Sequence, residues 1–230
     1  PVSIQYNPDG SPIGTGNITA MLHRGYIEVL FKAADTPLGR EFEAALAGNA
    51  GVHLTNFAVV DAASAHHRLT EDGFAMRPLV QFQRPVGTES GPGIAAFTVV
   101  RLERGAMPEG RIQILTHRTE DTVWQKRWLD HRNGALALID VVIASADIAE
   151  ATARFERFLG RQAREVAFGQ TAFVLDRGQL QLVSGHSFTA MFPEISIPRL
   201  PFIGAYAIRV QSLAVVEALV RQEGMTMRRV

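Results

Sequence analysis

The chain has 230 residues, 47% of them hydrophobic, enough to fill one large core or two ordinary ones. Its 23 basic and 23 acidic residues cancel, so nothing resembles the one-sided basic surface of a nucleic-acid binder. The absence of cysteine excludes disulfides, thiolate metal sites and cysteine nucleophiles. No apolar run approaches the roughly 18 residues that cross a bilayer, so the expectation is a cytoplasmic protein with no membrane partner.

Residues 2–6 are short and β-prone, and Asn7-Pro8-Asp9-Gly10-Ser11-Pro12 supplies turn residues behind them. Gly14-Thr15-Gly16-Asn17 leads into strands at 18–22 and 26–31, joined by His23-Arg24-Gly25. In the second strand Ile27, Val29 and Phe31 share one face, read as the core face, while Glu28 lies on the other with Tyr26 and Leu30. Gly14-Thr15-Gly16 does not make a phosphate loop, because it enters a strand and lacks a following Lys-Ser/Thr.

Thr36-Pro37 opens a helix with an apolar stripe of Leu38, Phe42, Ala45 and Leu46, and Gly48-Asn49 closes it. Residues 52–60 form a strand, and Asp61 caps a helix that ends at Gly73. Strands follow at 79–83, 94–102 and 111–115, with the Gly- and Pro-rich segment 85–93 between the first two. From Arg111 onward Ile112 and Ile114 face one way, and Gln113, Leu115 and His117 face the other. One face is core and the other is free to be a site. Thr119 caps a short turn whose Glu120 and Asp121 suit the positive end of a helix, and that turn carries Val123, Trp124 and Trp128. A break at Arg132-Asn133-Gly134 follows His131.

This β-α-β-β-β order then begins again. Residues 138–144 are a strand, Asp147 caps a helix ended by Gly160, and strands lie at 165–168, 171–175 and 180–183. Residues 187–201 read as an irregular connection, 205–210 as a strand and 212–222 as a helix. Each unit is about half a domain and needs a partner to bury its sheet.

Two residues stand out chemically. Glu28 sits among apolar neighbours, so it needs a structural partner such as Arg111, a metal, or a raised pKa. His117, at a strand end on the same face as Gln113, suits acid–base or metal chemistry, or else pins the loop behind it by a backbone hydrogen bond. His131 reads as structural. His53 and the pair His66-His67 read as surface residues, and Trp124 with Trp128 as a packing patch or a ligand platform.

Four such units, with strand-Asp-helix junctions at Asp61 and Asp147, resemble the vicinal oxygen chelate superfamily and its glyoxalase-like branch. The resemblance is carried by Gly14-Thr15-Gly16-Asn17, Gly25-Tyr26-Ile27-Glu28, Pro108-Glu109-Gly110-Arg111-Ile112-Gln113, His117-Arg118-Thr119 with Trp124, and His131-Arg132-Asn133-Gly134-Ala135. It implies an α+β protein of repeated βαβββ modules paired into two cup-shaped domains, 1–134 and 135–230, with the first and last modules truncated. The first strand and helix of the first module would lie upstream of Pro1.

In metal-dependent members the ligands come from the first and last strands of each unit. The corresponding positions here are Glu28, Leu54 and Gln113, and then Asp140, Gln181 and Ala205 in the second half. A divalent metal is therefore an incomplete prospect, with Glu28 and His117 as its candidate ligands. The resemblance implies a lyase or dioxygenase acting on a small oxygenated molecule, with Glu28 and His117 as catalytic groups and Asn17, Gln113 and Trp124 binding substrate. The alternative is a non-enzymatic protein that encloses a small molecule in the same cup. A second copy of the chain is the expected macromolecular partner, in a homodimer.

Overall fold

The computed structural model describes residues 2–6, 9–49 and 51–228, so the Asn7-Pro8 part of the first turn lies outside it. The protein is α+β. Its strands, numbered in chain order from β1 (Val2–Tyr6) to β12 (Phe202–Val210) with the ranges between them given below, form three sheets, ordered β1-β2-β3, β4-β7-β6-β5 and β12-β8-β11-β10-β9. Among the described residues no helix is long and apolar enough to cross a membrane. The chain groups into two compact units, one of Pro1–Ala47, Trp124–Asp140 and Tyr206–Val230, the other of Gly48–Val123 and Val141–Ala205.

The second unit holds most of the buried apolar side chains. Here β4 (Leu54–Ala58), α2 (Ala62–Glu71), β5 (Val80–Thr88), β6 (Gly91–Arg101) and β7 (Arg111–His117) follow one another. The pattern returns as β8 (Ala135–Ser145), α4 (Ile148–Leu159), β9 (Arg164–Ala167), β10 (Gln170–Leu175) and β11 (Gly178–Ser184). In both runs the first strand lies beside the last. The β4–β7 pair is parallel, while β7–β6 and β6–β5 are antiparallel. Asp61 accepts from the backbone N–H groups of Ala63 and Ser64, and Asp147 from that of Glu150, so both helices start where their caps dictate. Gly160 ends α4 in the left-handed conformation, φ 62°.

The two helices share one core. Ile112, Ile114 and Val100 from one sheet meet Phe173, Leu180 and Leu182 from the other, around Leu69, Phe155 and Phe158. Phe158 packs edge-on to Phe57 and Phe74, with centroids 5.7 and 5.9 Å apart, and Arg68 donates to the carbonyls of Arg157 and Phe158. A buried ion pair joins the runs as well. Arg154 on α4 donates both terminal nitrogens to Glu109, at 2.7 and 2.8 Å, and also holds Glu150. Burial opposes the charge, but the hydrogen bonds and charges of Glu150 and Glu109 outweigh it and hold the guanidinium above its ordinary pKa. Glu109 leads directly into β7. At Gly110, φ is +139° and a side-chain carbon would meet the His53 carbonyl at 2.9 Å, so glycine is required where the chain turns into that strand.

Two connections differ from the reading of the sequence. Segment 85–93 is not a loop: β5 and β6 zip into a hairpin from Val80↔Val99 to Thr88↔Gly91. Its prolines are tolerated because β5 is the sheet edge and Pro92 lies beyond the stretch of β6 that pairs with β7. Segment 187–201 is not wholly irregular either, since α5 (Gly185–Met191) is capped by Ser184 and buries Phe188 against Val142, Ala144 and Val183. Seven residues show too little periodicity to be seen without that tertiary contact.

The first unit contains β1 (Val2–Tyr6), β2 (Pro12–Met21) and β3 (Tyr26–Lys32), all antiparallel, most of α1 (Pro37–Gly48), and α6 (Leu213–Gln222). Thr36 accepts from the Gly39 N–H at the start of α1, but Gly39 is the one residue α1 buries, and Leu46 of its expected stripe is 53% exposed. The Asn133-Gly134 break is tied in by a hydrogen bond from the Gln211 N–H to the Gly134 carbonyl, and Arg24 bridges Ala137.

Glu109→Ala leaves Arg154 with Glu150 alone. It should lower the unfolding free energy by about 3 kcal/mol in urea denaturation, since stripping one partner from a buried pair exposes the other's desolvation cost. A loss near that of an exposed pair, under about 1 kcal/mol, would show that the joint carries no such weight.

Candidate functional site

The β4-β7-β6-β5 sheet has two unlike faces. Ile112, Ile114 and Val100 turn toward the helices. The other face is set by register. Asn56 lies opposite Gln113, and Gln113 opposite Arg101, so these three polar side chains stand in one row across β4, β7 and β6. The next row holds Ala58, Leu115 and Val99, and the one after it holds His117 and Phe97. Ala95, Phe97, Val99 and Leu115 form a separate buried apolar cluster there, with Val86 and Val123 against it. Phe97 stacks on Phe82 at 4.9 Å and meets the His117 ring edge-on at 5.4 Å. The alternation read from Arg111 to His117 thus places Gln113 and His117 together on a face opposite the helix core.

Burial, reinforced by the positive charge of Arg177, lowers the His117 pKa to about 4. Its imidazole is neutral at physiological pH. Gln113 is 8% exposed, and its Oε1, the Oδ1 of Asn56 and the Nε of Arg101 are buried without hydrogen-bond partners. Burial, and then the charge of Arg77, pull the Arg101 pKa below the arginine norm. Behind this face Thr119 accepts from the Ala96 N–H and from the Thr122 hydroxyl, so it anchors α3 (Glu120–Val123) to β6. Trp124 lies past the end of α3, and Trp128 belongs to a separate 3-10 turn, Lys126–Trp128, under the Arg127 guanidinium.

In the first unit, Asn17 donates its amide to Glu28 across the β2–β3 ladder. The face that bears Glu28 is the buried one: Asn17 and Met21 are 5% and 3% exposed, whereas Ile18 and Val29 on the opposite face are 49% and 59% exposed. This reverses the face assignment made from the alternation of Ile27, Val29 and Phe31. A carboxylate paired with a carboxamide can be buried, so hydrophobicity alone did not identify the inner side. Trp124 lies in the same unit, tilted against Tyr26 at 5.9 Å, with its indole N–H donated to the Leu22 carbonyl. His131 bonds to the Met21 carbonyl, in keeping with a structural role. His53 and His66 bond to the carbonyls of Asn49 and Arg77 and are half-buried, while His67 is exposed.

The structure therefore brings Asn17 to Glu28, and Gln113 to the His117 face of β7. Reading the sequence missed Asn56, Arg101 and Phe97. Asn56 was detectable, because it follows Leu54 by two residues and shares its face. Arg101 was not, since its place beside Gln113 depends on the β6–β7 register.

A divalent metal does not fit the donors of this sheet. Leu54, at a ligand position of the metal-dependent proteins this chain resembles, is a hydrocarbon lying opposite Arg111, and Gln113, at another, is neutral and lies opposite Arg101. Guanidinium groups beside the positions repel a cation, and one carboxamide binds it weakly. Among the described residues no group of three or more His, Asp or Glu is arranged to hold a metal.

A family model described as a glyoxalase-like domain matches residues 6–159. The crystal structure of a hypothetical protein from Staphylococcus aureus is similar, with a TM-score of 0.60 at 12% identity over 75% of this chain and 73% of that one. Likeness at that identity speaks to the fold alone. Among curated proteins, none matches the sequence.

Two measurements probe this face. Gln113→Leu removes a buried unpaired oxygen at nearly constant volume, so it should raise the unfolding free energy by about 1–2 kcal/mol; destabilisation would mean that the carboxamide has a partner in solution. For His117 the folded pKa lies below the ordinary histidine value of 6.5, so the unfolded chain binds the extra proton first as pH drops. Its contribution to stability is complete above about pH 6.5 and is lost as pH falls toward 4. Denaturation midpoints across that window should fall less steeply in His117→Gln than in the unaltered chain.

Proposed function

From the premise that the chain belongs to the glyoxalase-like domain family, within the vicinal oxygen chelate superfamily, we propose that it is an enzyme of lyase or dioxygenase class acting on a small oxygenated organic molecule. The observation that carries this reading is a neutral imidazole, His117, set beside an apolar cluster on a sheet face that also presents unpartnered polar groups. Groups of that kind in an apolar setting are what small-molecule sites are built from. His117 would accept a proton from the substrate, and Gln113 would orient a substrate oxygen. In the first unit, taken by itself, Glu28, steadied by Asn17, is the acid–base candidate, and Trp124 would bind through its ring face, since its N–H is committed to Leu22.

The superfamily contains enzymes and non-enzymes, and one feature favours a binding protein as the second reading. The row of Asn56, Gln113 and Arg101 needs only a bound molecule, with no reaction, to satisfy its polar atoms. Assay of the chain against hemithioacetals of 2-oxoaldehydes and against catechols separates the two. Under the enzyme reading one class turns over, and His117→Gln lowers kcat by about a hundredfold, the usual range for a lost acid–base group, with little change in KM. Saturable binding without turnover would select the binding protein. Elemental analysis should find little zinc, iron or manganese in chain purified without chelator; near-stoichiometric metal lost in Glu28→Ala would overturn the metal-free version of the mechanism.

A further inference from the structure

The polar row on the β4-β7-β6 face is unusual in its chemistry. Buried polar atoms in native proteins nearly always have partners, yet Asn56 Oδ1, Gln113 Oε1 and Arg101 Nε lack them and are neighbours by register. They amount to two acceptors and one cationic donor. Among the described ion pairs none involves Arg101, and its charged neighbour Arg77 pairs with Glu103. A positive charge is thus kept half-buried at a cost, and among the described residues no carboxylate forms an ion pair with it.

We propose that this row recognises an organic carboxylate that carries a hydroxyl on the adjacent carbon. The carboxylate takes the Arg101 guanidinium, which matches its planar geometry, and the hydroxyl donates to the carboxamide oxygens of Gln113 and Asn56. Either carboxamide can also turn its NH2 toward the anion, which keeps the row suited to a group bearing both functions. The rest of the ligand would lie over Leu115 and Val99, the next row along, so an apolar or aromatic body fits. His117 is four residues from Gln113 on β7, about 13 Å at the rise of a strand, so the recognition end and the imidazole stand at opposite ends of a face long enough for a small aromatic acid. The proposal rests on the small-molecule reading above and gives it a substrate class.

Three probes test it: mandelate, with both groups; phenylacetate, with the carboxylate alone; and mandelamide, with the hydroxyl but no charge. Side-chain amide signals of Asn56 and Gln113 in two-dimensional NMR report occupancy of the row. Mandelate should bind about tenfold or more tighter than mandelamide, the ratio expected from one buried charge-assisted contact, and tighter than phenylacetate by a smaller factor. Arg101→Gln should abolish the preference for mandelate over mandelamide. Arg101→Lys, which keeps the charge but loses Nε, should weaken mandelate while retaining a preference for anions. Equal binding of mandelate and mandelamide at this row, or unchanged mandelate binding in Arg101→Gln, would overturn the carboxylate assignment and leave the small-molecule reading standing. If no probe shifts these signals while the hemithioacetals or catechols do, the assignment fails and the face remains a site. If none of these molecules does, both fail together.

Discussion

The bidentate pair between Arg154 and Glu109 decides where β7 begins. Glu109 is tied into α4, Gly110 makes the turn that only glycine accepts, and Arg111 enters the sheet in register with Leu54. A strand has a period of two, so a slip of one residue would turn Ile112 and Ile114 outward and carry Gln113 and His117 into the helix core. The ion pair, though buried, is weak evidence of net stability by itself. Its consequence is positional, because it holds the residue two before Arg111 and so supports the register that separates the two faces of β7.

With that register fixed, the sheet is asymmetric in energy as well as in composition. On the helix side, Phe158 and its aromatic neighbours fill the space between α2 and α4, the kind of packing in which each large side chain contributes a few kcal/mol. On the far side, apolar residues surround polar atoms that lack hydrogen-bond partners, the Nε of Arg101 among them. Natural proteins accept such costs mainly where function requires them. The contrast between a satisfied face and an unsatisfied one is the physical basis for locating function in this unit, independent of family.

Family membership constrains the architecture more than the chemistry. The strand order, first beside last in both complete runs, follows from the repeated β-α-β-β-β sequence, and the same scaffold hosts many reactions. The residues at the register positions are what discriminate. Arginine across from a would-be ligand position turns a place suited to a cation into one suited to an anion, and an imidazole desolvated by burial near the positive charge of Arg177 becomes a neutral acceptor. Glu28 represents the opposite solution, a carboxylate held by the Asn17 amide.

The sequence by itself determined what short-range forces settle. Asp61, Asp147 and Ser212 start helices because a side-chain oxygen satisfies N–H groups two or three residues away, and Gly160 ends one because it alone tolerates the left-handed turn cheaply. The alternation from Arg111 to His117 placed Gln113 and His117 on a common face for the same reason, since a strand's geometry is local. Tertiary structure decided whatever depends on which strand lies beside which. It zipped the segment around Pro85 and Pro92 into a hairpin, buried Phe188 in an unforeseen helix, chose the Glu28 side of the first sheet as its inner face, and set Asn56 and Arg101 beside Gln113. Register between distant strands, and the loss of solvent that shifts a pKa, are collective properties of the packed chain, and no local pattern of residues contains them.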